Sequence, residues 1–287
     1  MDFLRPLTWD EALALKAGRP DATPIQGGTD VMVEINLDKG RPAALLDLNP
    51  VTELTAWSQE GPVLRIGAGV TYARLIDELG SLLPGLAQAS RTVGSPQIRN
   101  RGTVAGNLGA ASPAGDSHPP LLATGAIVEA ESVRGTRMIP ITEFYAGVKR
   151  HTLEPDELIR AVRVPVATGP QYFSKIGTRN AMVIAVCSFA IALHPEERRV
   201  GTGIGSAAPT PRRAPVAEDF LASELDWEGH RPLDPETALR FGEMVAAAAS
   251  PIDDVRGRAD YRVHSLAVMA RRTLGWAWNE YTGRRQA

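Results

Sequence analysis

Gly94-Ser95-Pro96-Gln97-Ile98-Arg99-Asn100-Arg101-Gly102-Thr103-Val104-Ala105-Gly106-Asn107, continuing to Pro113-Ala114-Gly115-Asp116, is the stretch on which the reading of this chain turns. It lies within Arg91 to Pro120, a segment rich in Gly, Asn, Ser and Pro with almost no apolar periodicity. A run of that length without regular pattern inside a compact domain is functional or disordered. Glycines let backbone N–H groups approach a ligand closely. Successive N–H groups curled into a nest bind anions without any cationic side chain. A second glycine-rich turn, Gln26-Gly27-Gly28-Thr29-Asp30, has the same character. Thr29 and Thr103 add hydroxyl donors, Asn107 an amide, and Asp116 an acceptor for sugar hydroxyls. The two loops are suited to clamp a dinucleotide from two sides. Neither carries G-x-G-x-x-G between a strand and a helix, or G-x-x-x-x-G-K-[ST], which argues against Rossmann and P-loop sites.

Working outward, Thr8-x-x-Glu11 is a capping-box pattern that opens a helix from Trp9 to Ala17, stopped by Gly18 and Pro20. Ala44 to Leu48 reads as a buried strand ended by Asn49-Pro50, and Val63 to Ile66 as a second strand. Thr71 caps a helix that ends at Gly80, and another begins after Pro84. Ala126 to Ala130 and Ile159 to Val164 read as strands. So does Met182 to Leu193, with Val200 to Gly205 as its neighbour across a turn at residues 194–197. Helical patterns follow at Pro235 to Ala249 and Tyr261 to Trp276; the second places Tyr261, Ser265, Val268 and Arg272 on one side. The tail from Gly283 is expected to fray. Strands cluster rather than alternate with long helices, which predicts an α+β fold.

The 287 residues are 44% hydrophobic, enough for two cores. The 31 basic residues are scattered among 33 acidic ones, giving a formal net charge of -2 and no polyanion-binding surface. A single cysteine, Cys187, can form no internal disulfide and cannot by itself hold an iron–sulfur cluster or a thiolate zinc site. It sits in an apolar run and reads as an inert core thiol. No histidine pair has metal-ligand spacing, so no metal site is expected. With no signal pattern at the N-terminus and no apolar run near 20 residues, the expected location is cytoplasmic.

Five strings carry a resemblance. Ser95-Pro96-Gln97-Ile98-Arg99-Asn100-x-Gly102-Thr103-Val104-x-Gly106-Asn107, followed by Ser112-Pro113-x-x-Asp116-x-x-Pro119-x-Leu121-Leu122-Ala123, resembles the FAD-binding subunit of molybdenum hydroxylases of the xanthine dehydrogenase family. Gly27-Gly28-Thr29-Asp30 resembles that family's first flavin loop. Ala207-Ala208-Pro209-Thr210-Pro211 and Asp253-Asp254-Val255-Arg256-Gly257 are similar to its C-terminal domain. The resemblance implies an FAD domain of the vanillyl-alcohol-oxidase type at residues 1–170, in subdomains of about 1–58 and 59–170. An α+β C-terminal domain of the CO dehydrogenase flavoprotein type would follow at 171–281, with a tail at 282–287. It implies non-covalent FAD on this chain, since no His or Cys lies within Gln26 to Asp30. The [2Fe-2S] clusters and the molybdopterin would belong to two partner subunits, with NAD+ or another molecule as electron acceptor.

Residue by residue, the resemblance places Ile25, Gln26, Gly27, Gly28, Thr29, Asp30 and Val31 around the pyrophosphate and ribityl chain. Thr103, Val104, Ala105, Gly106 and Asn107 form the second loop, and Asp116 meets sugar hydroxyls. Val93, Ile159 and Lys175 are further FAD contacts, with the Lys175 charge near the reduced flavin ring. No catalytic acid or base is implied on this chain. Ala105 and Gly115 depart from the family's usual Gly and Ser, and Gly115 is expected to cost a hydroxyl donor. Asp2 to Pro6 and Gly177 to Met182 look most like bacterial xanthine dehydrogenase subunits, which favours purines. Carbon monoxide dehydrogenase and aldehyde or heteroaromatic hydroxylases are the alternatives. A self-contained flavoenzyme akin to UDP-N-acetylenolpyruvoylglucosamine reductases, and a structural subunit that has lost flavin, are the competing classes. Arg99 and Arg101 are read as phosphate ligands or as loop-bracing groups, and His118, within the flavin motif, as a loop-packing residue or a chemical one.

Overall fold

In the computed structural model, which describes residues 1–284, a small parallel sheet forms first. Its elements are β1 (Asp2–Leu4), α1 (Trp9–Gly18), β2 (Ala22–Ile25), α2 (Val31–Asn36) and β3 (Ala44–Asp47), in strand order β1-β3-β2. As the central strand, β3 is buried along its whole length, which is why its run is apolar on both faces. The Thr8 hydroxyl accepts from the Glu11 amide, while the Glu11 carboxylate reaches back past Thr8 to the Leu7 amide at 2.7 Å. The capping box therefore closes one residue earlier than its pattern predicts.

Next come β4 (Trp57–Glu60), β5 (Val63–Gly67), α3 (Tyr72–Leu79), α4 (Pro84–Thr92), α5 (Pro96–Arg99), α6 (Val104–Ala110) and α7 (His118–Thr124). They are followed by β6 (Ile127–Ser132), β7 (Gly135–Pro140), the β8 (Tyr145–Gly147) and β9 (Arg150–His151) pair, and β10 (Leu158–Pro165). An antiparallel sheet runs β4-β5-β10-β6-β7. Residues 91–120 are not irregular throughout, as their pattern suggests, but hold α5, α6 and the start of α7. Helices of four to seven residues are too short to display a 3.6-residue period. Their signal is the N-cap instead: the Ser95 hydroxyl accepts from Ile98 N and the Thr103 hydroxyl from Gly106 N at 2.9 Å. One hydrophobic cluster, from Trp9 to Val164, unites both sheets.

A second cluster gathers around β11 (Gln171–Gly177), β12 (Ala185–His194) and β13 (Arg199–Gly205), an antiparallel sheet covered by α8 (Pro215–Glu224), α9 (Pro235–Ala247) and α10 (Ala259–Tyr281). The β12 strand starts three residues later than predicted. Met182 is exposed with φ of +49°, and the Arg179 guanidinium holds the carbonyls of Ala181 and Met182 in a turn. Helix α10 runs five residues past Trp276, because Ala277 and Trp278 are core residues. Its buried stripe includes Ser265, Leu266, Met269 and Thr273, whereas Tyr261 and Arg272 are exposed. Gly283 and Arg284 still bond to the end of α10, and the rest of the expected frayed tail, 285–287, lies outside the described residues. No helix among the described residues is long and apolar enough to cross a membrane.

The two cores meet over small residues. On β12, Cys187, Phe189, Ile191 and Leu193 face the helices of the second core, and Ser188, Ala190 and Ala192 alternate with them on the opposite face. Directly across the ladder from those three stand Gly205, Gly203 and Gly201 of β13. The backbone of α7 lies against this smooth strip. A Cβ at Gly203 would sit 2.6 Å from the Pro119 carbonyl carbon, and one at Gly201 2.9 Å from that of Ala123. Gly203→Ala is therefore expected to destabilise the chain by about 1–3 kcal/mol through overpacking. Gly275→Ala, where a Cβ meets nothing within 4 Å on α10, should instead stabilise by about 0.5–1 kcal/mol. Urea denaturation midpoints check both signs.

Candidate functional site

The two glycine-rich loops touch. A Cβ on Gly27 would lie 2.7 Å from the Arg101 carbonyl carbon and closer still to its oxygen, so only glycine permits this approach. The Thr29 hydroxyl stands 3.4 Å from the position a Cβ on Gly102 would take. Arg101 spans the seam, with its guanidinium on the Asn49 side chain at 2.9 Å and near the Gln26 carbonyl. The Tyr72 amide donates to the Gly102 carbonyl at 2.9 Å, tying the second loop to the start of α3. Arg99 donates to the carbonyls of Arg91, Val93 and Gly94. Both arginines therefore brace loops.

Gly28 takes φ of +73° and swings the chain into α2. Through this bend the backbone N–H groups of Gly27, Gly28, Thr29, Asp30 and Val31 donate to no acceptor among the described residues. Gln26 packs its amide against Gly69, and its Oε1 is buried without a partner. Ile25 ends β2, with its carbonyl accepting from Leu48 N. Ile159, half-buried on β10, precedes Arg160, whose carbonyl takes the Ala68 amide beside that same Gly69. Val104 and Ala105 are buried in the first turn of α6, so the Ala105 methyl points into packing.

Asp116 lies beyond the second loop, beneath α4. Its Oδ2 accepts from the Thr92 hydroxyl at 3.0 Å and from Lys175 Nζ at 2.5 Å, while its Oδ1 is buried with no partner. Lys175 reaches it from β11, so the ion pair joins the two cores; both side chains are only 8% exposed. The Lys175 charge, expected near a flavin ring, is thus already paired with a carboxylate. Burial pushes the Asp116 carboxyl up, against the pull of the Lys175 ammonium. Val93 follows Thr92 at the end of α4. Sequence reasoning missed Thr92, and nothing in its local pattern marks it. It also missed Ser117 and Tyr72, whose hydroxyls stand 3.3 Å apart behind Asn107.

Gly115 owes its smallness to crowding. A Cβ there would lie 2.6 Å from Asn107 Oδ1 and 2.5 Å from His118 Cδ2. A serine would have to displace both, so crowding gives glycine at this position a packing reason beside the lost donor. His118 is fully buried, with Nδ1 2.9 Å from the Tyr145 hydroxyl, and burial pulls its pKa from 6.5 down to about 3. Between those values the unfolded chain takes up a proton that the native chain refuses. His118 thus contributes its full stability above about pH 6.5 and loses about 1.4 kcal/mol per unit as pH falls toward 3. In His118→Gln the pH dependence of the unfolding free energy should be shallower by that amount over this window. An identical slope would locate the acid sensitivity elsewhere.

Comparison with known proteins places the chain in a family. Residues 1–167 match the family described as FAD binding domain in molybdopterin dehydrogenase, and residues 172–277 match the CO dehydrogenase flavoprotein C-terminal domain. The nicotine 6-hydroxylase medium subunit of Paenarthrobacter nicotinovorans is 30% identical, with 95% of each chain covered. A putative xanthine dehydrogenase FAD-binding subunit of Escherichia coli (strain K12) is 30% identical over 96% of this chain and 95% of its own. A chain of the carbon monoxide dehydrogenase from Hydrogenophaga pseudoflava superimposes with a TM-score of 0.88, at 28% identity over 98% of both chains. The chain belongs to the FAD-binding medium subunits of the xanthine dehydrogenase and molybdenum hydroxylase family.

Proposed function

We propose that this chain is the electron-transfer subunit of a heteromeric molybdenum hydroxylase. It takes electrons from the [2Fe-2S] clusters of one partner subunit while a molybdopterin subunit oxidises xanthine or hypoxanthine, and it delivers them to NAD+. The observation that carries the reading is the seam between Gly27 and Arg101, which sets two donor-rich loops against each other. A buried carboxylate oxygen without a partner lies farther along the same motif, on Asp116.

The residues present fit FAD. The free amides from Gly27 to Val31, with Ile25 and Gln26 behind them, suit the diphosphate, and Thr103 to Asn107 suit its other flank. Asp116 Oδ1 suits a sugar or ribityl hydroxyl, with Thr92 and Lys175 holding the carboxylate in place. Val93 and Ile159 supply apolar contact. When bound, FAD would let single-electron cluster donors serve a two-electron acceptor. The chain's own share is to bind, orient and enclose. The division into 1–170 and 171–281, and a cytoplasmic location, belong to the same reading. The self-contained flavoenzyme has little left to support it, since the C-terminal match is to a subunit domain. Carbon monoxide, nicotine, nicotinate and caffeine are among the substrates that relatives' names offer beside xanthine.

Affinity purification of the full chain from its source should recover an iron–sulfur and a molybdenum subunit, with FAD present, and the complex should reduce NAD+ with xanthine. Recovery of the same subunits with turnover only on another substrate would overturn the purine assignment. Recovery of the chain alone and without flavin would overturn the function. Gly27→Ala, which forces the loops apart, should weaken FAD binding at least about tenfold, equivalent to roughly 1.4 kcal/mol.

A further inference from the structure

Ser117 is the N-cap residue of α7, yet its hydroxyl makes no cap hydrogen bond. Serine at that position normally accepts from an amide in the first turn. Here the hydroxyl is fully buried and points the other way, donating to Asn107 Oδ1 at 2.6 Å. Behind it the Tyr72 hydroxyl lies 3.3 Å away and is 2% exposed with its ring. Ser117 is therefore occupied with Asn107, on the first turn of α6, rather than with its own helix.

The direction of this chain of hydrogen bonds follows from what each group can satisfy. The orientation of an asparagine amide is assigned from its network. If Tyr72 donates to Ser117 and Ser117 donates to Asn107, every hydroxyl proton in the chain has an acceptor. In the reverse order Asn107 Nδ2 would donate to Ser117 and Ser117 to Tyr72. The Tyr72 proton would then have no acceptor among the described residues, a buried loss. Burial raises the Tyr72 phenol well above its ordinary range, so it remains a donor. The forward order fixes the carbonyl end of Asn107 inward. Its Nδ2 donates to nothing among the described residues and is not enclosed, so the amide presents two N–H donors outward from the turn that follows Thr103.

We propose that Ser117, itself oriented by Tyr72, is a positioning residue that locks the Asn107 side chain as a donor toward an acceptor oxygen of the bound cofactor. This rests on the FAD reading above. Neither Ser117 nor Tyr72 touches the cofactor in this scheme; both act through Asn107.

The test is FAD titration into flavin-stripped full-length protein, followed by flavin fluorescence, alongside thermal melting of the stripped protein. Ser117→Ala should weaken FAD binding about tenfold, and Tyr72→Phe about threefold, because each frees the amide to flip. Asn107→Asp, which replaces the donor with a second acceptor, should weaken it by roughly thirtyfold or more. Ser117→Ala combined with Asn107→Asp should be no weaker than Asn107→Asp alone, since the serine acts only through the amide. Ser117→Thr, which keeps a hydroxyl, should restore binding. Ser117→Ala should also lower the melting temperature of the stripped protein by a few degrees, because the buried Tyr72 hydroxyl loses its acceptor, so the positioning role is read from the FAD affinities and the double variant rather than from stability. Parent-like affinity in Ser117→Ala, or losses that multiply in the double variant, would overturn the positioning role. Failure of the parent protein to take up FAD would instead overturn the cofactor reading itself.

Discussion

A carbonyl oxygen standing where a side chain would otherwise be is the constraint on which the site depends. The Arg101 carbonyl fills the space beside Gly27, so the first loop lies directly on the second. The sequence supplies a bend in each loop, and the contact fixes the distance between them. Arg101 reinforces the arrangement through Asn49, and Tyr72 anchors the Gly102 carbonyl to α3. The donors left over from this packing are backbone amides, whose positions cost no further side-chain entropy to fix. That is the property a diphosphate site needs.

The second core contributes to the same site from below. The glycine strip of β13, with its small partners on β12, lets α7 settle backbone-first onto the sheet. This fixes the height of Ser117 and Asp116 at the start of α7. Lys175 then crosses from β11 to Asp116 in a buried ion pair. Removing one partner of such a pair leaves an uncompensated charge and costs about 3–5 kcal/mol, so the pair holds the carboxylate in one orientation. One Asp116 oxygen is consumed by this bracing and the other is buried without a partner.

Much of this was legible in the sequence, for identifiable reasons. The loops announce themselves through glycines beside hydroxyl and amide residues, and the long motif carries the family resemblance that names FAD. Strands such as β3 and β12 are apolar runs and can be read directly. What could not be read depends on partners far along the chain. Strand β11 is revealed only by pairing with β12, and β7 is an exposed edge with little apolar signal. Thr92 matters because α4 ends beside Asp116, and Ser117 because its hydroxyl turns away from α7 toward α6. Gly115 looked like a missing donor, but three-dimensional crowding by Asn107 and His118 explains it. Local chemistry specified the loops, whereas their bracing is a product of tertiary packing.

A crystal structure of the FAD-loaded full chain tests the central claim most directly, through the distances from the diphosphate to the two loops. The account predicts amide nitrogens of the Gly27 to Val31 bend and at least one free donor of Thr103 to Asn107 within about 3 Å of oxygens on the same diphosphate. A diphosphate held by one loop alone, with the Gly27–Arg101 seam opened, would contradict it.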